Sequence, residues 1–222
     1  MNHKLRTKDL VTLGLFCAIA YVCVCVFRIP VVQWLKYEPK DAIIVMAGFL
    51  FGPMAVALIS VVVSFLEFAT ISDTGLWGML MNIVSTCSFA FTAAYIYKHH
   101  RTQKGAYMSL FAGYVLMVCI MILWNYLVTP FYMGVARSQV AGMLIPVFLP
   151  FNAVKGALNV AITLIMYKPL MQGLRAAGLI QRNDQQKKAF RLSNFWSVDT
   201  LMIALLLIVT SVLVMLVVKG VL

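Results

Sequence analysis

The residues with the most chemistry lie where an apolar chain has least reason to carry them. Lys155 stands in the run Pro150-Phe151-Asn152-Ala153-Val154-Lys155-Gly156. An ionisable side chain in such a run needs a partner or a polar cavity. Asn152 lies three residues earlier, on the same face of a helix. Together they offer an amide donor, an amide acceptor and an ammonium. That set suits a heterocycle rich in carbonyls and ring nitrogens. The competing reading is that Lys155 snorkels to the membrane surface. A second amide, Asn125, stands in Trp124-Asn125-Tyr126-Leu127-Val128-Thr129-Pro130-Phe131-Tyr132, at a depth similar to that of Asn152. Trp124 and Phe131 fit a pocket wall or an interfacial aromatic belt equally. Asp41 opens an apolar run beside Lys40 and Glu38. It caps a helix start, meets a ligand hydroxyl, or does both. Asn82 offers a further polar contact within its own apolar run. Glu67 pairs with a cation or approaches the outer surface, and its position assigns neither.

No catalytic constellation accompanies these residues, and the chain reads as a binding protein, not an enzyme. The histidines, His3, His99 and His100, sit in basic flanks. The chain contains no phosphate-binding P-loop, so it does not itself hydrolyse ATP. Cys17, Cys23, Cys25, Cys87 and Cys119 lie singly in apolar runs, with no CxxC and no Cys/His cluster. Neither a metal site nor a disulfide framework is expected from that spacing. No resident cofactor is implied.

These side chains must be positioned by membrane helices. Of 222 residues, 63% are hydrophobic and 11% charged, against about 25% charged in an ordinary soluble domain. Mean hydropathy is +0.93. The fold class is all-α and polytopic. Apolar spans are predicted over 9–27, 42–51, 53–71, 76–97, 106–128, 144–171 and 200–218. Gly52-Pro53 breaks what would otherwise be one helix too long for the bilayer, so one of the two pieces beside it is short. Segments 29–40 and 129–142 read as irregular loops, and Ser72–Gly75 as a turn. Three regions follow: a six-helix membrane domain over 1–175, a basic cytoplasmic linker over 176–199, and an additional transmembrane helix over 200–222.

The net charge of +11 sits between apolar runs rather than on a polar face, which excludes nucleic-acid binding and fits the positive-inside rule. With the N-terminus in the cytoplasm, the inner segments hold twelve Lys and Arg and the outer segments four: Arg28, Lys36, Lys40 and Arg137. The basic start Met1–Lys8 leads into a retained first helix, since further spans follow instead of a polar mature chain. The C-terminus then lies outside. Gly14 and Ala18 form a small-xxx-small pair that permits close helix approach in lipid.

Over residues 8–175 the sequence resembles the substrate-binding S components of energy-coupling factor vitamin transporters, and within them the riboflavin-specific group. Tyr37-Glu38-Pro39-Lys40-Asp41-Ala42-Ile43 followed by Gly48-Phe49-Leu50-Phe51-Gly52-Pro53 is similar to the family's first outer loop and second helix. Asn125-Tyr126 with Pro130 and Tyr132, and Asn152-Ala153-Val154-Lys155-Gly156, are similar to the riboflavin group in particular. The resemblance implies that Asn125, Asn152 and Lys155 hold the flavin ring, with Tyr37, Asp41, Asn82 and Tyr132 as further substrate contacts beneath the first outer loop. It implies that Gly14 and Ala18 meet a transmembrane coupling subunit that carries two ATPases, in place of the family's Ala-x-x-x-Ala. The protein would then sit in the bacterial cell membrane. Vitamin is captured outside without chemistry, and the subunit topples to release it inside. The alternatives are an S component for pantothenate, folate or thiamin, and a non-transport membrane scaffold or enzyme. The helix over 200–222 has no counterpart in the family's six.

Overall fold

The computed structural model describes residues 7–32, 35–178 and 198–218. The expected basic linker lies almost wholly outside them. The described chain runs α1 (Thr7–Val26), β1 (Ile29–Val32), β2 (Leu35–Tyr37), α2 (Lys40–Phe51), α3 (Pro53–Thr70), α4 (Gly75–Thr86), α5 (Thr92–His99), α6 (Gln103–Leu127), α7 (Thr129–Met133), α8 (Arg137–Met143), α9 (Leu149–Ala176) and α10 (Val198–Val218). A π-helical turn, Cys87–Phe91, joins α4 to α5, and another, Leu144–Phe148, joins α8 to α9. Among the described residues, six helices or fused helices are long and apolar enough to cross a membrane. The protein is therefore a multi-pass membrane protein, and apolar residues such as Met54, Phe65, Met108, Phe111 and Leu206 face outward from the bundle.

The short piece beside Gly52-Pro53 is α2. Its 12 residues rise only about 18 Å, well short of a bilayer core. Lys40 to Phe49 are all buried, so α2 is the central post around which the spans pack. Gly52 at φ +90° makes the reversal, a conformation that disfavours a side chain. Pro53 then opens α3 where its missing N–H costs nothing.

Two expectations are corrected. Segment 29–40 is not irregular: β1 and β2 pair antiparallel, with Ile29 opposite Tyr37 and Pro30 opposite Lys36. The strands are too short for alternation to stand out against Gln33, Trp34, Lys36 and Glu38. Yet Val31, Leu35 and Tyr37 are buried, and the ladder satisfies backbone groups where the segment lies on the bundle. Segment 129–142 contains α7 and α8, separated by Gly134 at φ +66°.

α10 packs along α9. Thr200 hydrogen-bonds Tyr107 near the start of α6, while Ile208 and Met215 join the cluster of Val31, Leu35 and Tyr37 in the hairpin. The helix therefore runs from the end holding the α5–α6 connection to the end holding the hairpin.

Candidate functional site

Between the hairpin, α3, α4, α6 and α9 lies a cavity of about 440 Å³, within the usual range for small-molecule sites. Its wall includes Asn82, Asn125, Asn152 and Lys155, with Met81, Met121 and Phe151 as apolar surfaces. It opens at the end of the bundle that carries the hairpin and the turn at Asp73-Thr74, opposite the basic α5–α6 connection.

Each amide is fixed by its own helix. Asn152 Nδ2 donates to the Phe148 carbonyl at 2.7 Å, in the π-helical turn just before α9. Such turns recur at functional sites because they free backbone carbonyls. The Asn152 side-chain oxygen meets no donor among the described residues. Asn125 Nδ2 donates to the Met121 carbonyl at 2.7 Å, and its oxygen accepts from Thr129 Oγ1 at 2.9 Å. Both amides are buried and both keep one N–H for a ligand.

Lys155 does not snorkel. Its side chain is 9% exposed. Nζ donates to Ser85 Oγ at 3.1 Å and stands 3.4 Å from Asp41 Oδ2. Of its three protons, one remains for the cavity. Gly156, the next residue, allows this: a Cβ there would sit 2.3 Å from the Tyr114 ring and 2.8 Å from Met117 Cε. Glycine lets α9 press against α6 and brings the two asparagines to one cavity.

Three expected contacts stand back from the wall. Asp41 does not cap α2, which starts without a side-chain cap. It lies beneath the cavity and accepts from Thr86 Oγ1 at 2.6 Å and Asn159 Nδ2 at 3.3 Å. Tyr37 is buried, and its hydroxyl donates to Asn159 Oδ1 at 3.2 Å. Tyr132 is half-buried on α7, which carries it off the cavity wall. Trp124 packs on the core and Phe131 is exposed, so neither lines the cavity. Gly14 and Ala18 face outward from α1, and a Cβ on Gly14 would meet nothing within 4 Å.

The mouth holds charged residues that are not among the expected substrate contacts. Arg28, Lys36, Glu38, Glu67 and Asp73 all line the cavity. Arg28 Nε donates to Glu38 at 2.9 Å and Nη1 to the Ile71 carbonyl at 2.6 Å. Lys36 pairs with Asp73. Fully buried Lys40 bridges Glu38, at 2.7 Å, and Glu67. Glu67, left unassigned by sequence, also accepts from Asn82 Nδ2 at 3.0 Å. These bonds tie the hairpin to the end of α3. Burial alone would raise the Glu38 carboxyl, but Lys40 and Arg28 beside it hold it below its ordinary range. The Lys36 hydrogen bond lowers the Asp73 carboxyl likewise. For Arg28, Lys36 and Asp73 the sequence signal is charge beside apolar runs, which ordinary flanks share.

The family model described as "ECF transporter, substrate-specific component" matches residues 8–167. The riboflavin transporter RibU of Staphylococcus aureus (strain TCH60) is 26% identical over 178 residues, covering 77% of this chain and 94% of that protein. The riboflavin transporter FmnP of Bacillus subtilis (strain 168) is 26% identical over 187 residues, covering 78% and 98%. A solved structure of the S component of a bacterial ECF transporter superimposes with TM-score 0.65 and 28% identity, covering 75% of this chain and 97% of that one. The family match ends before α10.

Proposed function

Because the chain belongs to the family of substrate-specific components of ECF transporters, we propose that it binds riboflavin in the cavity between α6 and α9 for uptake across the cell membrane. One observation carries this reading: Asn125, Asn152 and Lys155 converge on a single buried cavity from two different helices. The flavin pyrimidine edge alternates carbonyls, an imide N–H and ring nitrogens. Two half-satisfied amides and an ammonium with a free proton complement that edge. Met81, Met121 and Phe151 supply apolar surface for the rings. The related RibU and FmnP proteins, both named as riboflavin transporters, support the same ligand.

Riboflavin is cargo in this reading, and the protein does no chemistry on it. The N-terminus lies in the cytoplasm, supported by the bias of Lys and Arg toward those segments. The cavity then opens outside and α10 ends outside. Energy comes from partners, a transmembrane coupling subunit with two ATPases, and Gly14 and Ala18 on the open face of α1 are the contact offered to that subunit. The test is competition. Riboflavin bound to the purified protein should be displaced by unlabelled riboflavin, and not by pantothenate, folate or thiamin. Displacement by one of those three would reassign the ligand.

A further inference from the structure

Asn159 belongs to none of the sequence patterns above, yet it is fully buried at the centre of the polar network. It lies one turn after Lys155 on α9, and its amide is held at both ends. Nδ2 faces Asp41 Oδ2 at 3.3 Å, and Oδ1 faces the Tyr37 hydroxyl at 3.2 Å. An ionised carboxylate only accepts, so the NH2 must point to Asp41. That leaves the amide oxygen to accept from Tyr37. The same Asp41 oxygen stands 3.4 Å from Lys155 Nζ, while its other oxygen accepts from Thr86. Two arms therefore converge on the Asp41 carboxylate, one donating from Tyr37 through Asn159 and the other from Lys155.

The outer ends of the two arms differ in kind. Tyr37 is on β2, whose neighbours Leu35, Lys36 and Glu38 line the mouth of the cavity. Lys155 is in the wall. Lifting the hairpin withdraws the Tyr37 proton from the oxygen of a fully buried amide, and an unmade buried bond is costly. The amide is then free to turn, and Asp41 loses a partner that fixes it against Lys155.

We infer that Asn159 is a positioning residue that couples closure of the outer hairpin to the placement of Lys155, so that ligand release is governed by a Tyr37–Asn159–Asp41 chain outside the cavity wall. The inference rests on the riboflavin reading.

Riboflavin dissociation from the full-length purified protein tests it, chasing labelled with unlabelled vitamin in four proteins: wild type, Tyr37→Phe, Asn159→Ala and the double variant. Tyr37→Phe removes one hydroxyl and should speed release about twofold to tenfold, with the association rate unchanged. In the Asn159→Ala background the same change should add nothing, because the two residues act as one unit. Unchanged release in Tyr37→Phe, or multiplying effects in the double variant, overturns the inference. Should Asn159→Ala not fold, Asn159→Ser takes its place, and Tyr37→Phe alone remains decisive. A wild-type protein that binds no riboflavin overturns the ligand reading itself. Wild-type binding with unaltered release in Tyr37→Phe overturns only the coupling.

Discussion

Lys155 Nζ stands 3.4 Å from Asp41 Oδ2, and that distance joins the wall of the cavity to the polar floor beneath it. Both side chains are buried, so each makes the other tolerable. Removing one partner of a buried pair leaves a bare charge and costs about 3–5 kcal/mol, whereas removing both often costs little. Lys155→Met and Asp41→Leu should each destabilise the protein sharply. The double variant should recover part of the thermal stability in detergent, because Thr86 and Asn159 still lose their acceptor, without recovering riboflavin binding. Stability that falls further in the double variant would contradict the pairing.

Asn125 and Asn152 should behave differently from that pair. Each anchors one amide N–H to the carbonyl four residues earlier and keeps the other N–H for the cavity. Replacing either with Ala should weaken riboflavin binding by about 1–3 kcal/mol, while the melting temperature of the empty protein moves little. Titration by flavin fluorescence reads the first and thermal unfolding the second.

The mouth should respond to acid and not to mild alkali. Glu38 and Asp73 are held below their ordinary carboxylate values in the closed arrangement. A carboxyl lowered on closure contributes fully above its unperturbed value, which is 4.5 for Glu38. That contribution is lost as pH falls through and below that value. Riboflavin release should therefore be flat from neutral pH down to the ordinary carboxylate range and quicken below it. A step near neutrality would contradict this reading.

Gly156 is expected to be intolerant for reasons of space. A Cβ meets the Tyr114 ring at 2.3 Å. Gly156→Val should cost about 1–3 kcal/mol through overpacking and displace Lys155 with it. Loss of both stability and binding is the expected result.

Gly14 tests a different surface. No part of the described chain lies within 4 Å of a Cβ there, so Gly14→Leu should leave folding and riboflavin binding intact. Uptake by cells containing the coupling subunit should nonetheless fail, because close helix approach in lipid needs small residues. Normal uptake would place the docking face elsewhere.

Asn82, Asn125, Asn152 and Lys155 were visible because polar groups in apolar runs are expensive, so their positions alone marked them. Arg28, Lys36 and Asp73 were hidden because charges at helix ends look like ordinary flanks. Only tertiary structure reveals that they face one another. Tyr132 is implied by the family resemblance alone, and the turn into α7 takes it off the wall. Asn159 was within reach, since 152, 155 and 159 share one helical face. Ser85 and Thr86 carried no signal, for small hydroxyls are common in membrane helices. Seven helical segments could be counted from hydropathy, and the hairpin could not, because its strands are only four and three residues long.

The most direct measurement is whether the purified protein, isolated without any ATPase partner, carries flavin. The wild-type preparation should be yellow with the visible absorbance of bound flavin, and Lys155→Ala prepared alongside should be colourless. A colourless wild type that binds no added riboflavin, or a Lys155→Ala protein as yellow as wild type, would contradict the assignment of this cavity.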